Sequence, residues 1–147
     1  TPANLFVATF MGSPAMNILP ARVVLEQGAP HAALTDAAGE TRLLRFSQAN
    51  LAAWAGRDIL LGIRPEAITD PEGADRKSAN IQSLQNRITV TEPAGSDTFV
   101  TMTLGGKDTI ARMRADAAVA AGQTFGFAVN MEKAVAFDPA TEERILP

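Results

Sequence analysis

The stretch TFVTMTL, residues 98–104, decides the fold class of this chain. Val100, Met102 and Leu104 fall on one side of an extended strand, and the residues between them fall on the other. A period of two indicates a β-strand with one buried face, because successive side chains of a strand point to opposite faces. The two glycines at 105–106 predict a tight turn into a second strand, KDTIARMR. The two strands therefore form a hairpin.

The same alternation extends from this hairpin in both directions. Strands are predicted in ILPARVVLEQ (18–27), at 31–35 and 40–46 around the turn 36–39, and in DILLGIR (58–64). Three further strands are predicted, NRITVTE (86–92), TFGFAVN (124–130) and AVAF (134–137). Many short strands with frequent turn signals predict a mainly β protein. The second half fits a small barrel of the oligonucleotide/oligosaccharide-binding (OB) type.

Helical segments are predicted to be short. Residues 2–11 form a helix that ends at Gly12, since glycine is a common helix terminator. One or two helical turns are expected at 47–56, where they seat Trp54 on the core, and at 114–122.

The expected domain organisation is two β lobes behind a linker. Residues 1–17 are the linker helix and its exit, residues 18–68 and 79–147 are two intertwined OB-like lobes, and residues 69–78 are the loop between them. The chain begins without Met inside the predicted helix. We therefore expect it to be part of a longer polypeptide.

Composition and charge exclude several classes of function. The chain has 147 residues, no cysteine and a formal net charge of −3. Without cysteine it can hold no disulfide, thiolate metal ligand or cysteine nucleophile. No segment concentrates lysine or arginine into the basic stripe by which proteins bind nucleic-acid phosphates. No apolar run reaches the roughly 18 residues that a membrane-spanning helix needs.

Side chains able to do chemistry are few and scattered. His31 is the only histidine, and an isolated histidine in a β-like segment is a poor candidate for a general base or a zinc ligand. The sequence Gly-Gly-Lys-Asp at 105–108 departs from the phosphate-binding pattern G-x-x-x-x-G-K-[ST], so a hairpin turn explains it better. The carboxylates Asp70, Glu72 and Asp75 lie in a polar loop and are predicted to be solvated. We expect no catalytic or metal site in this chain.

The segment LLGIRPE, residues 60–66, ends an apolar strand with Arg64, Pro65 and Glu66 in succession. Proline has no N–H for the sheet, so Pro65 ends the strand. Gly62 allows another backbone to approach closely. Arg64 and Glu66 are interpreted as braces at the corner where the strand leaves the sheet, with direct contact to a partner as the alternative.

Four motifs occur in an order that resembles a known family. They are PANLFVATFMGSPAMN (2–17), GIRPE (62–66), EPAGSDTFV with LGGKDTIAR (92–112), and AFDPATEERIL (136–146). Together they closely resemble the C-terminal regulatory part of the ATP-hydrolysing subunit of carbohydrate importers of the ATP-binding-cassette class, of the maltose and glycerol-phosphate types. The resemblance covers essentially the whole chain. It implies a tandem OB-like (TOBE-type) fold attached after an ATPase domain.

The resemblance also implies which residues form interfaces or corners. In that family the helix at 2–11 leads out of the ATPase domain, and GSPAMN leads into the first barrel. The candidate residues lie in three motifs, namely Gly12, Ser13, Pro14, Met16 and Asn17; Arg64, Pro65 and Glu66; and Gly95, Ser96 and Asp97. A plain tight turn is the alternative explanation of the last group.

The implied function is a non-catalytic regulatory and dimerisation domain of the ATP-binding subunit of a sugar or polyol importer. Its expected partners are a second copy of itself, its own ATPase domain, the transmembrane permease subunits indirectly, and a regulatory protein or small molecule. No cofactor is expected in this chain, whereas ATP and Mg²⁺ are expected in the ATPase domain. The expected location is the cytoplasm, at the inner face of the membrane. The alternatives are an OB-type sensor of a sugar, polyol or oxyanion, and a glycosidase-like enzyme using loop carboxylates.

Overall fold

The computed structural model describes residues 15–147, so the predicted helix at 2–11 and the candidates Gly12, Ser13 and Pro14 lie outside the described residues. The strands in this part are β1 (Asn17–Glu26), β2 (Ala29–Thr35), β3 (Thr41–Arg45), β4 (Asp58–Ile63), β5 (Ile68–Thr69), β6 (Ile81–Ala94), β7 (Asp97–Leu104), β8 (Lys107–Arg114), β9 (Thr124–Asn130) and β10 (Val135–Phe137). Short 3₁₀ helices span Ala49–Trp54, Pro65–Ala67, Pro71–Gly73 and Met131–Lys133. None of the helices in the described part is long and apolar enough to span a bilayer. The prediction of a mainly β fold is confirmed.

The first sheet combines strands from both ends of the described chain. Its strand order is β10-β4-β1-β2-β3, and its neighbouring strands pair antiparallel. β1 pairs with β4 in the register Asn17↔Ile63 to Arg22↔Asp58. The last strand, β10, pairs with β4 through Val135↔Gly62. The two halves of the sequence therefore share this sheet.

The second sheet has the strand order β5-β9-β6-β7-β8, again antiparallel. Its longest strand, β6, pairs with β9 through its first half and with β7 through its second half, with a bulge between Ile88 and Val90. β5 lies against β8, so the sheet curls into a nearly closed barrel. We call the junction of β8 with β5 and the start of β1 the seam.

One apolar core fills the space between the two sheets. Leu19 and Leu61 of the first sheet and Met102 and Phe127 of the second belong to a single contiguous cluster. Every second residue of β7 is buried, ending with Leu104, which is the alternation that its sequence predicts. Burying each large side chain of this kind contributes about 1.5–3 kcal/mol.

The prediction of a helical turn at 114–122 is wrong, because Arg114 ends β8 and the residues after it form turns and irregular backbone. The N–H of Gly122 donates to the Ile88 oxygen at 2.8 Å, and the Ile88 N–H donates to the Gln123 oxygen at 2.8 Å. Alanine favours a helix locally, but these bonds draw the segment along β6. Tertiary pairing therefore overrides the local preference.

The helical turns predicted at 47–56 are present as the 3₁₀ helix Ala49–Trp54. Leu51, not Trp54, is the side chain that this helix buries in the core. Trp54 packs at the margin of the core, with the Arg57 guanidinium 4.0 Å from the centre of its ring. A cation over an aromatic face stabilises the pair electrostatically.

The predicted loop 69–78 is anchored at several points. It begins inside β5 at Thr69 and contains the 3₁₀ helix Pro71–Gly73. At its far end the Ser78 hydroxyl donates to Asn130 Oδ1 at 2.8 Å, and the Ala79 N–H donates to Glu132 Oε1 at 2.6 Å. The segment is held against β9 and the helix that follows it.

Candidate functional site at the seam

The GIRPE corner carries the chain from the first sheet to the seam. β4 ends at Ile63, and the 3₁₀ helix Pro65–Ala67 begins directly after Arg64. The expectation that Pro65 ends the strand is confirmed. Pro65 is buried, Arg64 is half-buried and Glu66 is exposed. The bracing role of Arg64 and Glu66, and contact with a partner as its alternative, stay predictions.

Gly62 makes this corner compact. A Cβ atom at Gly62 would lie 2.8 Å from Met16 Sδ, 2.8 Å from Phe137 Cε2 and 3.0 Å from Val135 Cγ2. The sequence predicts close approach of another backbone here, which is wrong: the atoms that crowd Gly62 belong to side chains. Met16, one of the interface candidates, is buried in this small cluster with Val135 and Phe137.

Asn17 closes the seam at one end. Its Nδ2 donates to the Ile110 oxygen at 2.9 Å, and the Ile110 N–H donates to its Oδ1 at 2.9 Å. A carboxamide has one acceptor and one donor side, so it can pair with both backbone groups of one residue as a neighbouring strand does. Asn17 is buried in this position. This interface candidate therefore joins β1 to β8 within the chain.

Asp70 closes the seam at the other end, and the expectation that it is solvated is wrong. Only 3% of this residue is exposed. Its carboxylate accepts from Arg114 Nε at 2.7 Å, from the Arg114 N–H at 3.2 Å and from the Gly73 N–H at 3.1 Å. Pro71 begins a 3₁₀ helix, which turns the Asp70 side chain inward as its N-cap. Glu72 is exposed, as expected.

Arg114 lies among several carboxylates at the end of β8. Besides Asp70, its Nη2 donates to Glu72 Oε2 at 2.9 Å, and its Nη1 lies 3.6 Å from Asp116 Oδ1. Asp97, an interface candidate at the start of β7, pairs in register with Arg114. The other candidates of that motif, Gly95 and Ser96, form the exposed tip of the β6–β7 hairpin.

The Asp70–Arg114 pair is ionised. Burial would raise the pKa of the Asp70 carboxyl, but the hydrogen bonds and the charge of Arg114 outweigh it and hold that pKa below its ordinary value. The same contact raises the pKa of the Arg114 guanidinium. Both groups remain charged at neutral pH and are bonded to each other. Neither is therefore available as a general acid or base.

A cleft of about 240 Å³ opens beside the seam. The polar side chains that line it are Glu66, Thr69, Asp75, Arg112, Asn130 and Lys133. Two acidic and two basic groups balance each other, so the cleft suits a bipolar ligand or a polar segment of another chain better than a free anion. Among the sequence candidates, Glu66 lies in this lining.

The described residues show no arrangement for metal binding. His31 Nδ1 lies 2.9 Å from the Ala29 backbone oxygen. Within residues 15–147 no group of three or more His, Asp or Glu side chains could hold a metal ion. The polar groups of the seam bond to one another and to the backbone, an arrangement that positions the elements around it.

Sequence reasoning missed Asp70 and Arg114 as a pair. A signal for Asp70 was present, because Asp followed by Pro and Glu is typical of a helix N-cap and first turn. Nothing near Arg114 in the sequence indicates its partner, which lies 44 residues away.

Comparison with known families finds two domains in succession. The chain matches the MalK OB fold domain over residues 12–68 and the TOBE domain over residues 61–137. The second match covers more than half of the chain. The two matches meet at the GIRPE corner, where the chain passes from the first sheet to the seam.

Similar proteins are ATP-binding proteins of importers. The chain is 34% identical to the oligosaccharides import protein MsmX of Bacillus subtilis, 32% to the trehalose/maltose import protein MalK of Thermococcus litoralis, and 34% to the sn-glycerol-3-phosphate import protein UgpC of Chromobacterium violaceum. Each match covers 98% of this chain but only 38%, 38% and 35% of the relative. The chain thus spans less than two fifths of the length of these relatives and corresponds to their C-terminal part.

The fold also occurs in a solved structure of another protein. The molybdate-binding protein ModG aligns with a TM-score of 0.55 over 84% of this chain and 96% of its own, at 15% identity. At that identity the likeness concerns the fold alone.

Proposed function

The chain belongs to the TOBE domain family, with an OB domain of the MalK type before it, and on this premise we propose that it is the regulatory and dimerisation part of an importer's ATP-binding subunit. The importer is of the ATP-binding-cassette class and carries a sugar or a polyol. ATP and Mg²⁺ bind to the ATPase domain of that subunit, outside this chain. The subunit works at the inner face of the membrane, where the ATPase domain contacts the permease subunits.

The observation that carries the proposal is the ordered pair of domain matches over nearly the whole chain. Relatives that align with 98% of this chain are named as import ATP-binding proteins for several different solutes. The structure is consistent with a binding and positioning role, because the Asp70–Arg114 pair closes the barrel and Asn17 joins the first sheet to β8. A shared module among importers of different solutes favours a role in assembly and control over a role in solute choice.

Self-association is tested by light scattering on the purified chain over a wide concentration range. We expect the apparent mass to rise from the 15.5 kDa of one chain towards twice that value. A mass that stays at one chain up to high micromolar concentration would contradict self-association of this region. The regulatory part of the proposal is tested separately, by measuring ATP hydrolysis of the complete subunit with and without excess isolated chain.

A second candidate function, a sensor of a small polar molecule, is favoured by the cleft beside the seam. Arg112, Lys133, Glu66 and Asp75 line this cleft of about 240 Å³, a volume that fits a small sugar, polyol or amino acid. A thermal-shift screen tests it, since a ligand at 100 times its dissociation constant adds about 2.7 kcal/mol of stability. The shift should disappear in Arg112→Ala and persist in Arg22→Ala, a surface arginine outside the cleft. A screen without any shift would contradict the sensor.

A further inference from the structure

Residues 143–146, which we call the strap, lie along the free edge of β10. The Ile145 N–H donates to the Ala136 oxygen at 2.8 Å, and Arg144 forms an antiparallel bridge with Phe137. The strap therefore adds a short strand to the first sheet. Of its side chains, Ile145 packs against the main core.

Two carboxamides hold the strap from its other side. Gln48 Nε2 donates to the Ile145 oxygen at 2.9 Å, and Asn50 Nδ2 donates to the Leu146 oxygen at 2.7 Å. Both donors belong to the start of the 3₁₀ helix region, which Leu51 anchors in the core independently of the strap. Two successive carbonyls of an extended segment are thus caught between β10 and residues 48–50, and these two elements form a groove.

The strap fits this groove incompletely. The Nε of Arg144 is buried and has no hydrogen-bond partner. A buried donor without a partner carries a desolvation penalty that an apolar side chain would not. Leu146 is 67% exposed, so it adds little apolar contact.

The turn that leads into the strap carries backbone strain. Glu142 has a φ of +61°, in the left-handed region that non-glycine residues adopt at a cost. Its N–H donates to the Asp138 oxygen at 2.7 Å, which closes the turn. When the strap detaches, this strain is released and the Arg144 Nε becomes free to bond to water. Both effects favour detachment of the strap.

We propose that the groove between β10 and residues 48–50 is a binding site for an extended peptide segment of another protein, which displaces the strap. Binding is by strand addition, in which backbone hydrogen bonds give affinity and side-chain pockets give specificity. The segment that fits has a branched apolar residue at the position of Ile145 and an uncharged residue at the position of Arg144. Gln48 and Asn50 donate hydrogen bonds to two of its backbone carbonyls.

The first experiment measures opening of the strap in the intact chain. Trypsin can cut after Arg144 only when the strap has left the groove, and the cutting rate follows the open population when closing is fast. The double variant Gln48→Ala/Asn50→Ala should be cut at this bond about tenfold faster, since two hydrogen bonds are lost. The control Gln123→Ala removes a carboxamide that bonds only within its own turn, and it should change the rate less than about twofold. Equal rates in all three proteins would overturn the proposal.

The second experiment measures binding to an emptied groove. The variant Ile145→Asp places a charge against the core and expels the strap while the chain keeps its length. A labelled peptide with the sequence of residues 141–147 should bind to this variant and not to the original chain. The same peptide with Met in place of Arg144 should bind about tenfold more tightly, because no donor is left unpaired. Adding Gln48→Ala should weaken binding of both peptides about threefold, since one hydrogen bond is lost.

Each remaining outcome contradicts the proposal. A folded Ile145→Asp variant that binds neither peptide shows that the groove accepts no segment in trans. An Ile145→Asp variant that loses its near-ultraviolet circular dichroism shows that the strap is an integral element of the fold. These readouts do not depend on self-association, so they separate this proposal from the proposed function.

Discussion

Two junctions in this molecule use the same pair of residue types in different ways. At the β2–β3 hairpin, the buried Asp36 bonds to the Ala38 and Glu40 N–H groups and to Arg42, all within six residues. At the seam, the buried Asp70 bonds to Arg114, which is 44 residues away. Each junction also has an asparagine that contacts a distant backbone, Asn86 at the hairpin and Asn17 at the seam.

The two asparagines differ in what they connect. Asn86 accepts from the Ala37 N–H at 3.0 Å and donates to the Thr103 oxygen at 2.9 Å, so it attaches the hairpin turn to the barrel. Asn17 bonds to both backbone groups of Ile110 and so completes the edge of β8. The hairpin would form without the side-chain bonds of Asp36 and Asn86, because β2 and β3 pair through their own backbones. At the seam, β8 lies against β5, the 3₁₀ helix Pro65–Ala67 and the start of β1 without a strand ladder to any of them in the described residues, so the seam depends on its side chains.

The largest effect is expected at Asn17. Asn17→Ala removes both bonds to Ile110 and leaves that N–H and carbonyl without partners, so we expect a loss of about 3 kcal/mol in the free energy of unfolding. Urea denaturation followed by circular dichroism measures it. The control Asn50→Ala removes one exposed hydrogen bond and should cost less than about 1 kcal/mol. Equal losses would mean that the seam does not depend on Asn17.

The next largest effect is expected at Asp70. Asp70→Asn keeps the shape of the side chain but removes its charge, so the bonds to Arg114 weaken, and we expect a loss of about 2 kcal/mol. The matched control is Glu72→Gln, which alters the exposed partner of the same arginine. An exposed ion pair contributes about 0–1 kcal/mol. A control with the larger loss would reverse our interpretation of the seam.

The fold class is readable from the sequence because each strand carries its own signal. The alternation of β7 shows in Val100, Met102 and Leu104, and all three are buried. The hairpin turn at 36–39 and the end of β4 before Pro65 likewise depend on residues at those positions. The prediction of a small barrel in the second half rests on the same kind of local signal.

The seam could not be read in the same way. Its bonds join Asn17 to Ile110 and Asp70 to Arg114, and nothing local in the sequence indicates such pairs. The pairing of β10 with β4 is also non-local, as is the pairing that keeps 114–122 out of a helix. The candidates from the family resemblance located Asn17, Glu66 and Asp97 near β8, but their expected role as an interface stays a prediction.

Acid should weaken both junctions. Hydrogen bonds from the Glu40 backbone and from Arg42 hold the pKa of Asp36 below its ordinary value despite its burial, and Arg114 does the same for Asp70. A carboxyl whose pKa is lower in the folded state contributes stability above its unfolded value of about 3.9, and this contribution disappears as the pH falls through the folded value.

The pH dependence distinguishes the contribution of the seam. The difference in unfolding free energy between the original chain and Asp70→Asn should be constant from neutral pH to about pH 5 and should shrink below about pH 4. Urea midpoints at a series of pH values measure it, with Glu72→Gln as the control. A difference that persists unchanged into strong acid would show that the Asp70 effect is steric and not electrostatic.

The smallest effect is expected at Asp36. Asp36→Asn keeps an oxygen that can accept from Ala38 and Glu40, and it weakens only the bond to Arg42, which lies within the same hairpin. We therefore expect a smaller shift of the urea midpoint than for Asp70→Asn, together with faster hydrogen exchange of the Ala38 and Glu40 amides. Exchange of the Val100 amide in β7 should not change, since a local bond stabilises only its own turn. An Asp36→Asn variant that instead shifts the midpoint as much as Asp70→Asn does and speeds exchange in β7 would show that the hairpin is as necessary to the barrel as the seam. The distance in sequence between the bonded residues would then not be what distinguishes the two junctions.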